Sequence, residues 1–370
     1  MDINEFKDKQ AAGTLSRRQI NKAMAAVGLV MVAAPMAPRR AAADHDGEAI
    51  YFTWGGFDDP TLYKAYEEKH GVPPEYVFYA DENEAFQKVR TGFTPDLVQP
   101  CSPMVSQWRD AGLIEAIDTS RLENWNDVFP VLKSLKGTQF NGEQWFIPTS
   151  WGRTSITYRT DLVDWEGEDS WSLLWDERYK GRLAVFDSVD ETLFITAIYA
   201  GVDPCDMSDA DLDKVMGLLE KQKPLLRFYA TDESSVTQAL ASGEVVAALT
   251  WDSGAAFLRS EGIPVRFMLP KEGVETWSCG ICLIKDGPHP DKAYDMLDSM
   301  ISVDSGLLYI TEWGMGHSNQ RAFELVSDET LAGLQLPRDP TELLESGVLY
   351  CRFKDKDEVI RRFQEMKAGF

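Results

Sequence analysis

The chain has 370 residues, 44% of them apolar and 11% aromatic, which suits two folded domains and argues against disorder. Asp and Glu number 60 against 37 Lys and Arg, a net charge of −23 that repels phosphate backbones and excludes nucleic acid as an expected partner. Four scattered histidines (His45, His70, His289, His317) offer little to a metal cluster or a His-based triad, and five cysteines are too few for a disulfide scaffold at this length.

Residues 1–43 read as an address. Arg17-Arg18 precede a short apolar run, Ala23 to Met36, and Arg39-Arg40 with Ala41-Ala42-Ala43 follow it before Asp44. The order basic, apolar, small-residue is that of a secretory signal, and the paired arginines point to the twin-arginine route. An uncut anchor is the other reading, but the run is shorter than the ~20 apolar residues a bilayer takes.

Beyond the signal, Ala49–Trp54 reads as a strand. A helix over Asp59–His70 follows, with Asp58 or Asp59 as N-cap, Pro60 in its first turn and Gly71 as its stop. Tyr76–Tyr79 and Asp96–Val98 read as strands, Asn83–Arg90 and Pro103–Ala111 as helices. An extended stretch, Gln144–Tyr158, breaks the rhythm. The alternation resumes with strand Arg182–Phe186, helices Glu191–Ala200 and Asp209–Gln222, strand Leu225–Tyr229, helix Ser234–Ala241 and strand Val245–Trp251. A second extended run, Thr276–Ile284, breaks it again, and the remainder is mostly helical. Two βα blocks and two extended crossings predict an α/β fold of two lobes, with parallel-type mixed sheets and a two-crossing hinge. The expected division is 44–150 plus 278–322 for the first lobe and 151–277 plus 323–370 for the second. Ligands on such sheets bind beyond the strand C-termini, so facing lobes make a closing cleft. No G-x-S-x-G elbow, P-loop or H-E-x-x-H occurs, and no cofactor motif, so neither catalysis nor a cofactor is expected.

Pieces of sequence spread over this region carry a resemblance. They include Tyr51-Phe52-Thr53-Trp54, Asp96-Leu97-Val98 with Pro100, Ile147-Pro148 with Trp151-Gly152, Tyr179-Lys180-Gly181, Gly243-Glu244-Val245 and Pro270-Lys271-Glu272-Gly273 with Trp277. In this order and spacing the chain resembles the spermidine/putrescine-binding proteins of polyamine ABC importers. The resemblance implies a type II periplasmic binding protein fold and a periplasmic, monomeric protein. It implies capture of a small organic amine and delivery to ABC permease and ATPase subunits. A sensory protein coupled to a chemoreceptor and a secreted enzyme on the same scaffold are the alternatives.

Amine capture calls for aromatic faces around the chain and carboxylates at its nitrogens. Trp54 and Phe57 follow the first strand, Trp251 ends a strand of the second lobe, and Trp277 lies at the second crossing; Trp108, Trp171 and Trp175, on helical patterns, read as core. The resemblance places Tyr350, Cys101 and Ser102 in the cleft as well. Its acidic pair after Phe186 falls on Ser188 and Glu191, and its Asp two residues after Trp277 is here Cys279. With Glu191 the one matched carboxylate, a monocationic or zwitterionic amine is expected over a polyamine, and Arg153 is the candidate for a ligand's acidic group. Asp58 and Asp252 are possible substitute acids. Cys279-Gly280-Ile281-Cys282 lies in an extended run, where residues three apart face opposite ways, which argues against redox chemistry. A Cys101–Cys279 disulfide is conceivable, but isolated buried cysteines are the favoured reading.

Overall fold

A computed structural model describes residues 47–80 and 82–369; the signal segment and its cleavage site lie outside that range. The first βα block forms where alternation predicts it. β1 (Ile50–Trp54) pairs in parallel with β2 (Glu75–Tyr79) and β3 (Leu97–Val98). Between β1 and β2, the Asp59 carboxylate accepts the Thr61 N–H at 2.8 Å and opens a 3₁₀ turn that leads into α1 (Lys64–His70). Gly71, at φ 79°, ends it in the left-handed conformation that costs glycine least. α2 (Glu82–Arg90) turns Ala85, Phe86 and Val89 inward, and α3 (Val105–Asp110) buries Val105 and Trp108.

The first crossing is β4 (Ile147–Arg159), 13 residues buried along nearly their whole length. The second block follows: β5 (Leu183–Phe186), α4 (Phe194–Tyr199), α5 (Asp209–Gln222), β6 (Leu226–Ala230), α6 (Glu233–Ser242), β7 (Ala247–Trp251) and α7 (Asp252–Ser260). After the short β8 (Val265–Phe267) comes the second crossing, β9 (Glu275–Ile284). β5 pairs in parallel with both β6 and β7, while β4 runs antiparallel to β7 and β9 antiparallel to β3.

β4 and β9 pair with each other, antiparallel from Glu275 opposite Thr154 to Ile281 opposite Ile147. They join the two sets of strands into one mixed sheet of twelve, whose main path is β2-β1-β3-β9-β4-β7-β5-β6. A register shift between Cys279 and Gly280 interrupts the pair. A Cβ at 280 would run into the Ile147 carbonyl, so the irregularity needs glycine there.

Two apolar cores flank the crossings. One gathers Phe52, Trp108, Phe146, Leu283 and Tyr309; the other Ile156, Trp171, Leu183, Phe194 and Leu249. Phe323, Val326, Leu331, Leu336 and Leu344 pack into the first core, although 323–370 was expected with the second lobe. Trp151 lies parallel to Phe323 with centroids 5.9 Å apart, and Arg338 binds the Phe323 and Val326 carbonyls, which hold the segment there. The second core is rejoined by Phe353 and by Val359, Phe363 and Met366 of α8 (Lys356–Ala368). A Cys205–Cys351 disulfide fastens this return. Among the described residues, no helix is long and apolar enough to cross a membrane.

Candidate functional site

The parallel strands of both blocks end at one opening. β1 ends at Trp54, β3 runs out into Gln99 and Cys101, β5 leads to Ser188 and Glu191, and β7 ends at Trp251. Between them β9 presents alternate residues Glu275, Trp277 and Cys279 on one face. These groups enclose a cavity of about 510 Å3, a volume ordinary for small-molecule sites.

Its aromatic walls are fixed from behind. The Trp54 indole donates to the Gln99 carbonyl at 3.2 Å and leans on Tyr79, centroids 4.6 Å apart. Trp251 stacks on Phe186 at 5.2 Å. Trp277 lies against the backbone of Gly152, where any Cβ would collide with the indole. Phe57 packs on Tyr309 and Trp313, and Tyr350 meets Phe194 edge-on at 5.7 Å. Trp108 and Trp171 sit in the cores, and Trp175 packs against the second.

Five carboxylates line the cavity, and they differ in occupation. Glu233 caps α7, accepting the Trp251 and Gly254 N–H groups at 2.9 and 3.2 Å and the Ser253 hydroxyl at 2.9 Å. Asp190 pairs with Lys356 at 2.7 Å through one oxygen. Glu82 accepts the Cys101 N–H at 2.6 Å. Glu191 and Glu275 stand apart: each has a buried Oε2 with no hydrogen-bond partner, as does Asp190 at Oδ1. Burial pushes Glu191 up to about 7 against the pull of the Ser188 hydroxyl, and the Asp190 charge adds to the rise. Burial holds Glu275, 2% exposed, well above the usual carboxylate range, and the charges of Glu191 and Asp190 raise it further. Lys356 is the one cationic side chain among the described lining residues.

Of the residues singled out from the sequence, Trp54, Phe57, Cys101, Ser188, Glu191, Trp251, Trp277, Cys279 and Tyr350 all line this cavity. Ser102 does not; it is buried at the start of a 3₁₀ turn. Arg153 is a correction. Its guanidinium binds the Asp252 carboxylate at 2.5 and 2.8 Å and the Gln335 carbonyl at 2.7 Å, with both charged side chains almost wholly buried. Strand alternation puts neighbouring Thr154 on the cavity side and Arg153 on the other, so it cannot meet a ligand's acidic group. Asp252 is consumed by the same pair, and Asp58 is exposed and outside the cavity. Cys101 and Cys279 are bonded to each other, against the expectation of isolated cysteines, and only Cys282 is free and buried.

The lining also includes Glu82, Gln99, Asp190, Glu233, Glu275 and Lys356, none of them anticipated as a ligand residue. Glu275 stands two residues before Trp277, one residue ahead of the expected strand Thr276–Ile284, and the observed strand includes it. The Asp190–Lys356 pair spans 166 residues and left no signal in the sequence.

Over residues 61–328 the chain matches the bacterial extracellular solute-binding protein family, and it belongs to that family. It is similar to the spermidine/putrescine-binding periplasmic protein of Escherichia coli, 24% identical over 330 residues, covering 88% of this chain and 93% of that one. The putrescine/agmatine-binding protein of Pseudomonas aeruginosa is 26% identical over 293 residues, 74% of this chain and 79% of its own. The crystal structure of a spermidine/putrescine ABC transporter substrate-binding protein from Streptococcus pneumoniae superposes with a TM-score of 0.74 at 22% identity, covering 87% of this chain and 100% of that one. The fold is therefore the type II periplasmic binding protein fold, two α/β lobes joined by two crossings.

Proposed function

We propose that this protein is the polyamine-capturing subunit of an ABC importer, taking a small linear amine with more than one cationic nitrogen into its interlobe cavity. The observation that carries this reading is the composition of the cavity: three indoles with Glu82, Glu191 and Glu275, against a single Lys356 already paired with Asp190. Aromatic faces hold methylenes and attract ammonium groups, at ~2 kcal/mol or more each when desolvated. Carboxylates contributed by α2, by the turn after β5 and by β9 supply charge-assisted bonds at more than one nitrogen. Counting one matched carboxylate favoured a monocation; Glu275 beside Glu191, with Glu82 contributed from α2, supplies acceptors for more than one nitrogen and favours a di- or polyamine. With Arg153 paired elsewhere, the case for a zwitterion loses its anchor.

The names of the relatives, which bind spermidine, putrescine or agmatine, support the same class. On this reading the lobes close by bending β4 and β9, with no chemical turnover. The mature chain begins after Ala43, reaches the periplasm by the twin-arginine route and presents its closed form to permease and ATPase subunits. A thermal-shift panel of putrescine, spermidine, agmatine, glycine betaine and γ-aminobutyrate tests this. The three polycations are expected to raise Tm by several degrees at millimolar concentration. Silence across the polycations, or an equal response to betaine, would overturn it.

A further inference from the structure

Glu275 has no task in the fold as described. Its carboxyl is almost wholly buried, lines the cavity and leaves Oε2 without a partner. A buried acid with an unpartnered oxygen is costly to keep, so a ligand that completes its hydrogen bonds is the natural explanation. We propose that Glu275 and Glu191 form one subsite that recognises a nitrogen by its N–H groups, a primary ammonium or a guanidinium, and rejects a fully methylated one. This deepens the polyamine reading and rests on it.

Three observations converge. First, three unpartnered buried carboxylate oxygens of the cavity, Glu191 Oε2, Glu275 Oε2 and Asp190 Oδ1, accept hydrogen bonds, and the neighbouring unpartnered Thr154 hydroxyl can supply one donor only, so they need more, unless one of the acids keeps its own proton. A quaternary ammonium brings positive charge but no donor, and would leave acceptors among them unsatisfied. Second, both glutamates line the same cavity, and the Glu191 charge raises Glu275. The groups facing them are Asp190 from the same turn, Lys356 of α8 bound to Asp190, and the Tyr350 phenol. On β4 the residue opposite Glu275 is Thr154, while the guanidinium of Arg153 is taken by Asp252. Among the described lining residues the one cation near the pair is Lys356, which is shared with Asp190, so an incoming cation adds the charge the pair lacks. Third, the next position but one along this face of β9 after Trp277 is Cys279, whose sulfur is bonded to Cys101. Glu275 is thus the carboxyl that β9 offers to the cavity.

The test is calorimetric titration of the full chain and of Glu275→Gln with 1,4-diaminobutane and with its bis(trimethylammonium) analogue at pH 8. Wild-type protein is expected to prefer the diamine by at least about thirtyfold. Glu275→Gln should weaken the diamine at least about tenfold and change the methylated ligand less than threefold, with no fall in the Tm of the empty protein. Glu275→Met, apolar and of similar length, repeats the measurement should glutamine disturb packing. A variant that binds the diamine like wild type, or loses both ligands equally, overturns the subsite and leaves the polyamine reading standing. Wild-type protein that binds neither ligand overturns both.

Discussion

Lowering the pH should weaken amine binding in a way set by Glu191. In the empty cavity this carboxyl is pushed up to about 7 by burial, against 4.5 for an unperturbed glutamate. A linear amine, with nitrogens titrating near 10, stays cationic throughout. The carboxyl must be ionised to hold it, so affinity follows the ionised fraction: about half at pH 7 and about a tenth at pH 6. Between pH 8 and pH 6 the Kd should rise about tenfold, or ~1.4 kcal/mol. Glu275, also held well above the usual carboxylate range by burial and by the charges of Glu191 and Asp190, should add to the gain as pH rises. Stability of the empty protein moves the opposite way. A carboxyl whose pKa rises on folding contributes stability that is complete below pH 4.5 and is lost as pH climbs through about 7, ~3 kcal/mol for a rise of this size. The ligand-induced rise in Tm should therefore grow from pH 5.5 to pH 8. Calorimetry and thermal melts across that range read both effects. A Kd that is constant within a factor of two, or that tightens in acid, would refute the assignment of Glu191 as counter-ion.

Further outcomes follow from the same geometry. Gly152→Ala puts a methyl group into the Trp277 indole and should cost at least about tenfold in amine affinity while the chain still folds, read by titration alongside circular dichroism. Arg153→Met strands the Asp252 carboxylate in a buried site and should cost ~3–5 kcal/mol of stability in denaturant unfolding, with the affinity of the folded fraction unchanged. Replacing Cys205 and Cys351 by serine removes a link across 146 residues and should cost ~2–4 kcal/mol, with a lower midpoint in guanidinium chloride.

The aromatic half of the cavity was legible in the sequence because strand ends are. Trp54 and Trp251 close strands that alternation and composition mark, and parallel sheets collect ligands at those ends. The acidic half was less legible, since its members are assembled by tertiary contacts. Asp190 meets Lys356 across 166 residues, and Glu82 reaches the Cys101 N–H from the start of another helix. Glu275 opens a strand whose expected range, Thr276–Ile284, starts one residue after it. The resemblance points to the position two residues beyond Trp277, Cys279, and not to the one two residues before it on the same face. For Arg153 the partner Asp252 is 99 positions away, and nothing local separates a ligand-facing arginine from one buried in an ion pair. The sequence favoured isolated cysteines, yet two bridges and one buried thiol use all five. The segment 323–344 gave only helical periodicity, which names a buried face but not the core that receives it.

Native mass spectrometry of the protein mixed with equimolar putrescine, spermidine, glycine betaine and γ-aminobutyrate puts the candidate ligands in direct competition. One linear polyamine per chain, bound in preference to the others, is the expected mass shift. A chain that carries the betaine or the amino acid, or that stays bare in the presence of both polyamines, would contradict an acid-lined cavity built to hold more than one ammonium group.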